Sequence, residues 1–198
     1  MRAFVMAMEC EAEAVRPHLR SGDRLFVSGV GKVNAASATA EAIAAGADEV
    51  WNAGLCGGFG DDVSVGDVWG VERAVEYDFD LAKLNGTAVG VLNERDTPYL
   101  PLARFDLPAR VRGWKTLATG DRFTDDESDY ELITRTLGAS LRDMEGAAVA
   151  HVCWRRGVAC RALKCVTNVA GRGLMTGQYG VHRDRCLAIL SAALGEVL

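Results

Sequence analysis

Glutamates, glycines and one amide recur directly after short apolar runs, and five such junctions carry residue types that can accept protons or hydrogen-bond a ligand. They are Glu9-Cys10-Glu11, the glycine cluster of residues 54–60 (GLCGGFG), Gly120-Asp121-Arg122-Phe123, Asp143-Met144-Glu145 and Thr167-Asn168. Open α/β sheets bind ligands outside the carboxyl ends of their strands. If each apolar run is a strand, the five endings converge on one crevice, and that convergence suggests an enzyme.

Each feature also has a plain structural reading. Glu9, Glu11 and Glu145 would open helices, where a carboxylate favours the positive end of the helix dipole by a few tenths of a kcal/mol. The stretch Asp125-Asp126-Glu127-Ser128-Asp129 reads as a capped helix start rather than a metal site. Gly57 and Gly58 suit a tight turn, although glycines after a strand also let the backbone approach a ligand closely. His151 reads as a packed histidine, and the other two, His18 and His182, lie far from it in sequence. Generic motifs are missing. GVGKVN lacks the third glycine of a dinucleotide fingerprint and the spacing of a phosphate-binding P-loop, and there is no G-x-S-x-G or H-E-x-x-H.

The elements that must position these residues follow from the hydrophobic pattern. Strands are expected at residues 2–8, 25–28, 49–52, 68–75, 87–92, 115–118, 141–143 and 158–169. Helices are expected at 9–19 (shortened or kinked by Pro17), 32–46, 127–137, 145–156 and 182–197. The glycine cluster is expected to end the 49–52 strand. Strands separated by helices imply a mixed or mostly parallel sheet covered on both faces. The 198 residues suit one domain, with no repeat or linker.

Composition narrows the function further. With 27 acidic against 22 basic residues the net charge is −5, so no basic face for nucleic acid is indicated. Mean hydropathy is +0.05 and no run of about 18 apolar residues occurs, which argues against a membrane partner. The first 15 residues lack the apolar core and cleavage site of a signal peptide, so a cytoplasmic location is expected. The six cysteines show no C-x-x-C spacing and sit in apolar runs; they read as buried free thiols rather than disulfides or zinc ligands.

Taken together and in order, AMECEAE, SGVGKVNAA, NAGLCGGF with VGDVW, TGDRF, DMEGAAVAHVC and TNVAG resemble the purine nucleoside phosphorylase/nucleosidase superfamily. The nearest branch is that of the methylthioadenosine/S-adenosylhomocysteine nucleosidases and the futalosine hydrolases. The resemblance covers nearly the whole chain. It implies a single-domain α/β three-layer sandwich, with a central mixed sheet flanked by helices and the site at the strand ends. It also implies a small-molecule purine nucleoside as substrate and no cofactor or metal. Glu11 matches the water-activating glutamate, Glu145 the glutamate that holds the ribose hydroxyls, Met144 the methionine against the sugar and Phe123 the residue lining the base pocket. Gly57 lies in the matching substrate-binding loop.

Departures from the family pattern carry information of their own. Asn168 stands where adenine-specific members carry an aspartate. An amide cannot protonate purine N7, but its N–H donates to a 6-oxo group, so a hypoxanthine-type base is favoured over adenine. Leu55 replaces the serine or threonine of many relatives. Residues 18–29 and 80–120 are shorter than usual, which leaves the 5′-substituent unspecified. The carboxylates of AMECEAE would repel a phosphate dianion, so water is the expected nucleophile, with phosphorolysis as the enzymatic alternative should Arg73 and Arg122 lie near the site. A nucleoside-binding protein without turnover is the other class. The resemblance further implies a homodimer or larger homo-oligomer, in which residues 75–81 (VEYDFDL) match an interface segment or else form an ordinary edge strand.

Overall fold

The computed structural model describes residues 1–123 and 126–198. Its strands are β1 (Arg2–Met6), β2 (Arg24–Val27), β3 (Glu49–Gly58), β4 (Val68–Glu76), β5 (Leu100–Pro101), β6 (Val111–Thr119), β7 (Leu141–Asp143) and β8 (Ala159–Val169). The helices are α1 (Glu9–Val15), α2 (Lys32–Ala44), α3 (Ala82–Asn85), α4 (Glu127–Glu131), α5 (Gly146–Arg156) and α6 (Met175–Val197). As Pro17 suggests, α1 gives way to a 3-10 turn over Arg16–His18.

Alternation along β1 sets the layers. Ala3 and Val5 face α2 and α5, whose Ala35, Ala38, Ala42, Ala147 and Val149 fill one core. Phe4 and Met6 face the opposite way, against Ala12 and Val15 of α1 and Leu190 and Leu194 of α6. β1 runs parallel to β2 and β3, and β3 parallel to β8. β8 is antiparallel to β4, β4 parallel to β6, β6 parallel to β7, and β7 antiparallel to β3. The last five of these pairings close β3, β8, β4, β6 and β7 into a ring, with β1 and β2 extending from β3. The expected α/β sandwich with a mixed central sheet is what forms.

Several expectations are corrected. β3 does not stop at Asn52 but continues through the glycines to Gly58. The glycines serve close packing: a Cβ on Gly54 would lie 2.5 Å from Glu11 Oε1, and one on Gly58 2.5 Å from Val63 Cγ1. Residues 87–92 are not a strand. Gly90, at φ +79°, folds this segment back so that its N–H bonds to Phe79 O at 2.8 Å, and Leu92 packs into the core without pairing. The 127–137 helix is α4 followed by a π-type turn over Leu132–Thr136, with Leu137 N–H bonding to Leu132 O. α6 begins at Met175, seven residues ahead of the expected start, because Gly177 and Gly180 blur its periodicity.

Candidate active site

All five strand endings open into one cavity of about 320 Å³. Its wall includes every one of the expected site residues: Glu11, Gly57, Phe123, Met144, Glu145 and Asn168. Glu9 is not among them; it is exposed and pairs with Arg16 at 2.8 Å. Arg73 is not either, since its Nε donates to Thr116 Oγ1 and its guanidinium stacks on Tyr99, whereas Arg122 does line the cavity.

Glu11 sits in the first turn of α1, directly after β1, and is almost fully buried. Its Oε2 accepts from Met8 N–H at 3.2 Å, and its Oε1 accepts from Leu55 N–H at 2.8 Å. Leu55 therefore acts on Glu11 through its backbone, so the missing hydroxyl at this position costs that contact nothing. Burial raises the Glu11 pKa, and the Asp143 charge adds to the rise; Lys164 and the two backbone N–H groups oppose it.

Glu145 stands at the N-cap of α5, and its Oε1 accepts from Gly31 N–H at 2.7 Å. Gly31 has φ +102°, a conformation that favours glycine and turns this N–H at the head of α2 toward the carboxylate. Burial, followed by the Asp143 charge, pushes the Glu145 pKa up to about 7. Asp143 itself is tied down by Thr119 Oγ1 at 2.6 Å, Gly146 N–H at 2.9 Å and Lys164 Nζ at 2.8 Å.

Lys164 is one residue that sequence reasoning missed. Only 2% exposed, it projects from the middle of β8 toward three carboxylates. Burial alone would lower its pKa, but Asp143, Glu11 and Glu145 outweigh that and hold it charged. A lone lysine inside the apolar run ACRALKCV was the available signal, because a buried charge needs a partner.

At the other end of the cavity Asn168, 1% exposed, closes β8. Thr167 Oγ1 lies 2.7 Å from Asn168 Oδ1, to which it donates, and 3.2 Å from Cys56 O. Asn168 Nδ2 is buried with no hydrogen-bond partner among the described residues. A buried donor left unsatisfied costs about 1–3 kcal/mol, so it is poised for an acceptor on a ligand. Phe123 is half-exposed at the mouth, its ring 6.1 Å from that of Tyr179 in an edge-on contact. His151 lies outside the cavity and bonds Glu76 Oε1 at 2.8 Å, as a packed histidine does. All six cysteines are free, and five are buried. Of the acidic stretch near residue 126, Asp126 caps α4 by accepting from Ser128 N–H, while Asp125 lies outside the described residues.

A mixed sheet between helical layers, with buried carboxylates gathered at its strand ends, defines an α/β scaffold of the nucleoside phosphorylase type. The family model of the phosphorylase superfamily matches residues 21–194, and the chain belongs to that family. It is 32% identical over 160 residues to the 5′-methylthioadenosine/S-adenosylhomocysteine nucleosidase of Anoxybacillus flavithermus, covering 75% of this chain and 68% of that one. It is also 29% identical over 156 residues to the aminodeoxyfutalosine nucleosidase of Campylobacter jejuni, covering 74% and 68%. Among solved structures, the fold is shared with the futalosine hydrolase of Helicobacter pylori. That match has a TM-score of 0.87 and 20% identity, over 98% of this chain and 94% of that one.

Proposed function

We propose that the protein is a purine nucleosidase that hydrolyses the N-glycosidic bond of a 5′-substituted purine nucleoside and prefers a 6-oxopurine to adenine. The observation that carries this reading is the pair of buried carboxylates, Glu11 and Glu145, sharing one cavity with the unpaired amide N–H of Asn168. The names of the relatives, which include both methylthioadenosine/S-adenosylhomocysteine and aminodeoxyfutalosine nucleosidases, support the reaction class.

Cleavage develops positive charge on the ribosyl carbon and negative charge on the departing purine. Glu11 keeps lone pairs beyond those taken by Met8 and Leu55, and its raised pKa makes it a stronger base for a water proton. The oxygen of that water bonds to C1′ as the C1′–N9 electron pair leaves with the base. Glu145 accepts from the ribose hydroxyls, with Met144 against the sugar, Gly57 leaving room beside the base and Phe123 covering it. Water is preferred to phosphate because Glu11, Asp143 and Glu145 gather at the sugar end, and the Lys164 ammonium offsets only part of their charge. We further propose a homodimer or larger assembly, in which a second copy covers the half-exposed Val30 and Phe123 at the cavity mouth. Of the 75–81 segment only Val75 and Glu76 belong to β4, where they pair with β6, and residues 77–81 leave the sheet.

The test is base release from purine nucleosides, with and without phosphate, followed by liquid chromatography. Release that is independent of phosphate and yields free ribose supports the reading. A requirement for phosphate with ribose 1-phosphate as product would replace it with phosphorolysis, and tight binding without release would replace it with a binding protein.

A further inference from the structure

Asp121 stands at one of the five strand endings, but the cavity wall does not include it and the proposed reaction leaves it unused. Its carboxylate holds the head of α2 instead. The first N–H groups of a helix have no partner within it. At α2 two of them go to carboxylates from separate strand ends. Gly31 N–H donates to Glu145 Oε1 at 2.7 Å, and Lys32 N–H donates to Asp121 Oδ1 at 2.8 Å. The positive end of the helix dipole favours both contacts. Only the φ and ψ angles of Gly31 separate these two N–H groups, so fixing the second limits where the first can point. Asp121 Oδ1 also lies 3.2 Å from the point where a Gly31 Cβ would stand, which closes that side of the turn.

A second carboxylate fixes Asp121 in turn. Asp121 N–H donates to Asp78 Oδ2 at 3.0 Å, and Asp78 Oδ1 accepts from Lys32 Nζ at 2.5 Å. Lys32 thus meets Asp121 through its backbone and Asp78 through its side chain. The three residues come from the turn after β4, the head of α2 and the end of β6, and they form a closed ring of contacts. Lys32 Nζ also donates to Glu76 Oε2 at 3.3 Å, and His151 Nδ1 lies 2.8 Å from Glu76 Oε1, so β4 and α5 anchor the ring.

We propose that Asp121 is a positioning residue, which together with Lys32 and Asp78 holds the head of α2 so that Gly31 N–H meets the Glu145 carboxylate. The proposal rests on the nucleosidase reading, in which ionised Glu145 accepts from the ribose hydroxyls. An N–H donated to a carboxylate favours its ionised form. At Glu145 the Gly31 N–H does so against burial and the charges of Asp143 and Glu11, and Lys164 acts in the same direction as Gly31. Without Asp121 the Gly31 N–H drifts from the carboxylate, and Glu145 ionises only at higher pH. A direct effect of the Asp121 charge has the opposite sign, because deleting a negative neighbour makes a carboxyl easier to ionise. The direction of the shift therefore separates positioning from simple electrostatics.

Two variants test this. Asp121→Ala removes the acceptor, whereas Asp121→Asn keeps an oxygen for the Lys32 N–H and removes the charge. Each is assayed by base release for kcat/KM between about pH 5 and pH 9, since the acid limb of that profile reports ionisation in the free enzyme. In Asp121→Ala the limb should move up by about one pH unit. A shift of that size costs about 5-fold at about pH 7 and less than about 2-fold at about pH 9. Asp121→Asn should return the limb to the wild-type position or below it. Three results overturn the proposal: an Asp121→Ala limb that stays or moves down, a loss equal at every pH, or an Asp121→Asn limb as high as that of Asp121→Ala. Should Asp121→Ala fail to fold by circular dichroism, Asp78→Ala, which removes the acceptor of Asp121 N–H, decides alone. The same upward shift is expected there, and its absence overturns the proposal. If the wild type releases no base at all, the nucleosidase reading fails separately, and the melting temperature decides the positioning role. A higher Glu145 pKa makes stability keep falling as pH rises beyond about 7, so the Tm deficit of Asp121→Ala should be wider at about pH 9 than at about pH 5. A deficit that is the same at both overturns it.

Discussion

Glu11 and Asn168 divide the reaction between the two ends of the glycosidic bond, and each makes a prediction about a single atom. Glu11→Gln keeps an oxygen for the Leu55 N–H but removes the proton acceptor. It should lower kcat by about 10²–10⁴-fold while the affinity for substrate holds. Nearly full turnover in this variant, measured by base release, would remove Glu11 from the base role. Asn168→Asp replaces the free Nδ2 donors with an oxygen that donates only when protonated. Activity on hypoxanthine nucleosides should drop by roughly 10²-fold, with preference moving toward adenine nucleosides. The loss should deepen as pH rises, because ionisation of the new carboxyl turns a donor into an anion facing the leaving base. A wild-type enzyme that prefers methylthioadenosine to every hypoxanthine nucleoside sinks this account of Asn168.

At the scale of elements, the site depends on β3 passing close to α1. Gly54 is where they meet, and a methyl group there would stand 2.5 Å from Glu11 Oε1 and 3.0 Å from its carboxyl carbon. Gly54→Ala should therefore displace the Glu11 carboxylate. The expected result is a fall in kcat of about 10²-fold or more, since small misplacements of a catalytic group cost that much, with KM changed far less. A crystal structure of the Gly54→Ala variant with Glu11 unmoved, or an unchanged kcat, removes the argument. Most of the positioning elements were legible in the sequence. Runs such as AFVM and LKCV alternate with alanine-rich helices, and each site residue falls at a run's end. The glycines of β3 misled, because their composition signals a turn, while their actual role is to admit Glu11 from α1 and Val63 from the loop that follows β3. The partners of Lys164 were hidden for a related reason, since Asp143, Glu11 and Glu145 come from three other elements, a long-range property that no local pattern encodes.

For the molecule as a whole, the crowded carboxylates set function against stability. Burial and the Asp143 charge place the folded-state pKa of Glu145 at about 7, whereas an unfolded glutamate titrates near 4.3. Between these values the folded chain binds the extra proton, so stability falls as pH rises through that window and levels off above it. Holding sugar hydroxyls needs the ionised form, so the acid limb of kcat/KM should rise through the same range. Glu145→Gln keeps a carbonyl for the Gly31 N–H and removes the ionisation. At about pH 4, below both values, its melting temperature should match that of the wild type. At about pH 8 it should be higher, by an amount on the order of 1–3 kcal/mol, or about 2–4 °C for each kcal/mol in a chain of this size. The same variant should lose kcat and not merely raise KM, because contacts to the ribose strengthen as the sugar becomes cationic. A Tm difference that does not change with pH, or a variant less stable than wild type at the higher pH, would show that Glu145 is an ordinary helix-capping carboxylate. A residue whose removal stabilises the fold and abolishes turnover is kept for its chemistry, and this pH-dependent trade separates a catalytic glutamate from one that serves only the helix dipole.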